Sequence, residues 1–185
     1  MMLLPRILLG VQVLFGSYCL AGTEQILVNP ELSVVGNDQL TGWHEHNSTT
    51  LSGTNGNAFA IIPDAEPEKF AKLFQRVSID DVRAKAIRVS ARLKTIPISG
   101  AESNASKPLL RIYYYPTSSD WAFKDVIWPE RGKGLRKEIE FKEDWQTVTF
   151  ELERPVGANG LEVAIETVNP SYQVEVDQVE AWAVN

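Results

Sequence analysis

The side chains most able to do chemistry sit in the alternating run Leu109 to Tyr115. Leu110, Ile112 and Tyr114 share one face of this strand, and Arg111, Tyr113 and Tyr115 share the other. Arg88 and Arg92 stand on the polar face of an upstream strand, and Glu162 and Glu166 on that of a downstream one. If these strands share a sheet, their outward side chains form one surface suited to a sugar. A pyranose packs its apolar C–H face on a flat ring and offers its hydroxyls to arginine or carboxylate partners. A solvated sheet with cross-strand ion pairs would use the same residue types. Two tyrosines next to an arginine tilt the reading toward binding.

A second group lies in the loop from Pro116 to Arg131, where Trp121, Phe123 and Trp128 follow no period that would bury them. Aromatic rings exposed in a loop form either a lid over the sandwich or a surface that stacks on a ligand. Trp43 and Trp145 begin strands, where core packing is the usual fate.

The third group is acidic or imidazole. In Tyr172 to Trp182 the apolar set is Tyr172, Val174 and Val176, then Val179, Ala181 and Ala183. The slip at Asp177 requires a bulge if the strand is to keep one face buried. A carboxylate there either hydrogen-bonds the bulged backbone or serves as an oxygen ligand for a hard cation. His44 and His46 share a strand face, but no third histidine accompanies them, so they read as a polar strand face rather than a metal site.

Catalytic signatures are missing. There is no Gly-x-Ser-x-Gly elbow and no His-Glu-x-x-His pair. Neither a Gln-x-His strand nor a Tyr-x-Lys-x-Gly-x-Tyr strand, as alginate lyases carry, occurs. Glu162 and Glu166 could serve hydrolysis only as an acid and a base, and arginines nearby would keep both ionised.

These residues are positioned by strands. Short alternating runs recur between turn clusters, and no sustained helical period follows the first residues, which predicts an all-β jelly-roll sandwich of two antiparallel sheets. The clearest run has Ile87, Val89, Ala91 and Leu93 facing in and Arg88, Ser90, Arg92 and Lys94 facing out. Eight main strands begin near residues 43, 58, 71, 86, 109, 145, 161 and 172. The wiring expected for them puts the second, fourth, fifth and seventh on one sheet, which would unite Arg88 and Arg92 with Arg111, Tyr113, Tyr115 and Glu166. Leu135 to Phe141 reads as a polar edge strand.

Residues 1–21 read as an export signal: Arg6, an apolar run from Ile7 to Leu20, and a small-residue end at Ala21. Its removal would take away Cys19, the only cysteine, and leave residues 22–185 as a single domain stabilised by its core. The chain carries 18 basic and 24 acidic residues, and losing Arg6 makes the balance one unit more negative. Such a surface repels phosphate backbones, which argues against nucleic acid as a partner. No later segment is apolar enough to span a membrane. The expected location is secreted or periplasmic.

Asn29-Pro-Glu-Leu32, Gly42-Trp43, Gly56-Asn-Ala58, Gln75-Arg-Val77, Trp145-Gln-Thr-Val-Thr-Phe150 and Val176-Asp-Gln-Val179 follow one another along nearly all of residues 22–185. In this order they resemble carbohydrate-binding modules of the family 4 and family 9 type, within the galactose-binding-like jelly rolls. The resemblance implies a non-catalytic module that binds an oligo- or polysaccharide, and a structural calcium with Asp177 and Glu31 among its ligands. The usual pattern has acids where Ser33 and Gln178 stand here. The expected binding residues are Arg88, Arg92, Arg111, Tyr113, Tyr115, Trp121, Trp128 and Glu166. The competing classes are a jelly-roll polysaccharide lyase or hydrolase, and a protein-binding envelope module.

Overall fold

The computed structural model describes residues 24–32, 42–46, 48–52, 59–63, 71–97, 106–128, 135–167 and 172–185. The expected export signal, Cys19 and Ser33 lie outside them. The ten strands are β1 (His44–His46), β2 (Ser48–Ser52), β3 (Phe59–Pro63), β4 (Ala71–Ser78), β5 (Ala86–Pro97), β6 (Leu109–Tyr115), β7 (Arg136–Glu138), β8 (Gln146–Glu153), β9 (Gly160–Thr167) and β10 (Tyr172–Val184). They form two five-stranded antiparallel sheets, ordered β1-β4-β9-β6-β7 and β2-β3-β10-β5-β8. This is the jelly-roll sandwich expected from the period-two pattern.

The core lies between the sheets and is built from the alternating apolar sets. Ile87, Val89, Ala91 and Leu93 of β5 meet Leu110, Ile112 and Tyr114 of β6 and Leu161, Val163 and Ile165 of β9, all buried. Strand β10 is central to its sheet, and its register against β5 shifts between Val176 and Gln178. The bulge falls at Asp177, so Val174, Val176, Val179 and Ala181 all reach the core despite the change of phase.

The N-terminal segment docks through side-chain amides. Gln75, itself buried, exchanges two hydrogen bonds with the backbone of Val28, at 2.7 and 2.8 Å. Gln25 Oε1 accepts from the amides of Ile26 and Ala181. Trp43 is in the core and donates its indole N–H to Asn29 O at 3.0 Å. Gly42 must be glycine on two counts: its φ is +81°, and a Cβ there would come within 2.9 Å of the Gln75 amide.

The sheet assignment of β5 corrects the sequence-based wiring. Main strands alternate between sheets, so the fourth, carrying Arg88 and Arg92, lies in the sheet opposite Arg111, Tyr113, Tyr115 and Glu166. In its place β4, the third main strand, pairs with β9 along its whole length. Arg88 and Arg92 face outward as expected, but into a ladder of ion pairs. Arg88 pairs with Glu151 at 2.9 Å, Arg92 with Asp177, and Lys94 with Glu175 at 2.7 Å. Trp145 is also corrected: it is half-buried on this outer face, beneath Arg92 and Lys94 at 4.9 and 5.1 Å from its ring centre. A cation–π contact on the outside has replaced core packing.

Candidate functional site

The outer face of β4, β9 and β6 carries the chemistry. Directly opposed residues point to the same side of a sheet, so pairing writes the site as rows. Arg76, Glu162 and Tyr113 form one row, Phe74, Ala164 and Arg111 the next, and Lys72, Glu166 and Leu109 the third. His44 and His46 extend the second and third rows onto β1, and the His44 ring lies 5.4 Å from that of Phe74.

The loop after β6 covers these rows. It is pinned to strand backbone by the amide of Ile127, which donates to Tyr114 O at 2.8 Å. Asn159 Nδ2 holds Pro116 O at 3.0 Å, and Ser118 reaches Asp80 at 3.2 Å. A single 3-10 turn at Phe123–Asp125 then brings the aromatic rings over the sheet. Trp121 packs edge-on against Tyr115 at 5.0 Å, and Phe123 against Tyr113 at 6.0 Å. Gly160 opens β9 where loop and strand meet. A Cβ there would sit 2.5 Å from Thr117 O and 2.9 Å from the Trp121 ring. Only a residue without a side chain lets the loop lie this close.

Between loop and sheet is a cavity of about 440 Å³. Its walls are Tyr113, Tyr115, Trp121 and Phe123, and its charged lining is Lys72, Arg76, Arg111, Glu162 and Glu166. Five of the eight expected binding residues therefore come together: Arg111, Tyr113, Tyr115, Trp121 and Glu166. Trp128 does not line the cavity. It is more than half exposed, with its ring 5.8 Å from that of Phe123. Arg88 and Arg92 are on the other sheet. Four lining residues fall outside the expected binding set: Glu162 and Phe123, which the sequence placed on the same sheet face and loop, and Lys72 and Arg76 on β4. The last two were missed. Their signal was present, because Lys72, Phe74 and Arg76 alternate against the apolar Leu73 and Val77; the missing fact was the sheet of β4.

The ion pairs divide into two clusters. Glu162, with no exposed surface, takes Lys72 on one oxygen and Arg76 Nε at 2.7 Å on the other. Glu166 faces Arg111 Nε at 2.7 Å and accepts the Tyr113 hydroxyl at 3.0 Å, while Arg111 Nη1 donates to that hydroxyl oxygen at 2.9 Å. The Arg111 Nε contact is close enough for an ion pair but is not aligned as a hydrogen bond. Lys72 joins the clusters, 4.0 Å from Glu166. Tyr113 and Tyr115 point away from the core, as alternation predicts, yet both are buried beneath the loop. Burial, reinforced by Glu166, pushes the Tyr113 hydroxyl far above the ordinary phenol range, and burial raises Tyr115 to about 12. Both are neutral hydrogen-bond donors at ordinary pH.

The expected cation site is less complete. One Asp177 oxygen pairs with Arg92, and the other is buried with no hydrogen-bond partner among the described residues. Glu31 is exposed in the turn after Asn29, and no three His, Cys, Asp or Glu residues gather among the described residues. Calcium takes six to eight oxygens, and the described residues supply only part of such a set at Asp177 and Glu31. Burial outweighs the Arg92 charge and raises the Asp177 carboxyl. A raised folded-state pKa favours folding below it, and that contribution is lost as pH rises through it. Asp177→Asn is therefore expected to raise the unfolding midpoint at neutral pH, with the gain shrinking on acidification. Thermal melts across pH check this.

No family model and no curated protein sequence matches the chain. Solved structures do match, at low identity. One is a family 4 carbohydrate-binding module, 16% identical, with a TM-score of 0.51 over 85% of this chain and 99% of that one. Another is a carbohydrate esterase of the Shiga toxin-encoding bacteriophage phi24B, 14% identical, with a TM-score of 0.53 over 89% and 100%. A third is the CBM22-1–GH10 portion of Clostridium thermocellum endo-1,4-beta-D-xylanase 10B, complexed with xylohexaose. It is 13% identical with a TM-score of 0.53, and the match spans 87% of this chain but only 28% of that one. The chain has the jelly-roll fold of carbohydrate-binding modules.

Proposed function

We propose that the cavity over β4, β9 and β6 binds a saccharide and does not cleave it, in a protein that works outside the cytoplasm. The observation that supports this most is the pairing of an aromatic wall with a charged lining already fixed by ion pairs. Trp121 and Phe123 offer ring surface to a sugar, while Arg76 and Arg111 offer donors held in place before any ligand arrives. Catalysis is less well served. Glu162 and Glu166 are both engaged by cationic side chains, which leaves no carboxyl poised to protonate a glycosidic oxygen. A lyase would need a base, and Tyr113 is held as a phenol donating to Glu166.

Binding and cleavage separate cleanly in experiment. The domain is applied to a glycan array, and bound oligosaccharides are then incubated with it and examined by mass spectrometry. Retention with the oligosaccharide unchanged is the expected result; new reducing ends or unsaturated products would make it an enzyme. Trp121→Ala is expected to weaken binding by about 1–2 kcal/mol, in line with the loss of one aromatic stacking partner. Calorimetry with the best array ligand reads this directly.

A further inference from the structure

Resting on that reading of the cavity, we infer that its ligand is an acidic saccharide, one carrying a carboxylate or sulfate on the sugar unit that enters. The cavity carries a local imbalance of charge. Lys72, Arg76 and Arg111 line the cavity against Glu162 and Glu166, so one positive charge is left over. The chain as a whole is acidic, with a net charge of −6, so this excess is a property of the site and not of the surface at large.

The excess is displayed by groups with donors to spare. Arg76 commits only Nε, to Glu162, and its two terminal nitrogens hydrogen-bond nothing among the described residues. Its side chain is 34% exposed, against 13% for Lys72, so the open end of the guanidinium reaches solvent through the cavity. The group is held between rings, 4.9 Å from the centre of Phe74 and 5.5 Å from that of Trp121. On the far side of the cavity, Arg111 turns Nη1 to Tyr113 and leaves Nη2 without a hydrogen bond among the described residues. Two guanidinium groups with free nitrogens therefore flank an aromatic wall. A neutral sugar would use the wall and offer those donors only uncharged hydroxyl acceptors. An oxyanion on the ring would use both, since a guanidinium edge matches a planar carboxylate in two parallel hydrogen bonds and also accepts sulfate oxygens.

The test is an array of neutral, uronate-bearing and sulfated oligosaccharides, followed by titration of the best binder and its neutral counterpart, made by carboxyl reduction or desulfation. The acidic ligand is expected to bind at least about tenfold more tightly than its neutral counterpart, the worth of one charge-assisted hydrogen-bonded contact. The gap should narrow as salt is raised. The uronate and sulfate arms identify which oxyanion is read. Arg76→Gln should weaken binding of the acidic ligand far more than that of its neutral counterpart and so remove the preference, and Arg76→Lys should restore part of it; near-ultraviolet circular dichroism checks that each variant is folded. If binding is confined to neutral glycans, or is indifferent to carboxyl reduction and desulfation, the inference falls and saccharide binding stands. If no glycan of any class binds the wild-type domain, both fall.

Discussion

Glu162→Ala is expected to destabilise the domain by about 3 kcal/mol, because it strips the shared counter-ion from two cations in a covered site. Glu162 has no exposed surface, and it is the carboxylate on which both Lys72 and Arg76 converge. Once it is gone, Arg76 can turn its partly exposed head to water, but Lys72 is only 13% exposed and retains only the more distant Glu166. Glu162→Gln preserves the shape and one acceptor, so its cost should be intermediate. Urea denaturation of the two variants measures both. A loss below about 1 kcal/mol for alanine would mean that the cations relax into solvent and the ion pairs contribute little, as exposed pairs do. The same substitution should weaken saccharide binding, since the guanidinium of Arg76 loses the anchor that aims it.

Tyr114→Ala is expected to cost about 3–5 kcal/mol, the range for deleting a buried aromatic ring. Tyr114 has no exposed surface, lies in the core between the sheets, and donates only a long 3.4 Å hydrogen bond to Leu152 O. Tyr114→Phe, which keeps the ring, should therefore be close to neutral. The neighbouring substitution gives the contrast. From alternation alone Tyr113→Ala should leave stability unchanged, because the side chain points outward. The structure changes that expectation: the ring lies under Phe123 and its hydroxyl is tied to Glu166, so the loss should be about 1–2 kcal/mol, together with weaker saccharide binding. Thermal melts of the three variants distinguish the core tyrosine from the covered one.

That contrast marks how far the sequence could be read. Alternation gave the faces of β5 and β6 correctly, because a strand with one buried side must place apolar residues at every second position. The bulge at Asp177 was legible for the same reason: a phase slip inside a run that must stay buried leaves no other solution. Which strands are neighbours was not legible. Arg92 and Arg111 both face outward, and nothing in either strand says that they face opposite ways out of the sandwich; that is fixed by pairing between residues far apart in the chain. Cover is a further kind of information that periodicity lacks. Glu162, Glu166, Tyr113 and Tyr115 follow an outward phase and are nonetheless buried, because a loop comes down on them. Gly160 was the available clue, as a glycine opening a strand leaves room for something to lie against it. Trp145 failed differently, since an aromatic ring at a strand start is equally stable under two cations outside the core.

The position of β10 has a consequence for how the domain is made. It follows every other described strand, yet it lies at the middle of its sheet, hydrogen-bonded to β3 on one side and β5 on the other. The first described residues also depend on it, since Ile26 and Glu24 bond to the backbone of Ala181 and Ala183. During synthesis, β3 and β5 therefore wait with open hydrogen-bonding edges until β10 has been made, and until then the early segment has only its contacts to Gln75 and Trp43. Closure is a single late event that draws both ends of the domain together. Until it happens, the nascent chain presents unpaired strand edges, the feature that invites aggregation and that a holding chaperone would have to cover.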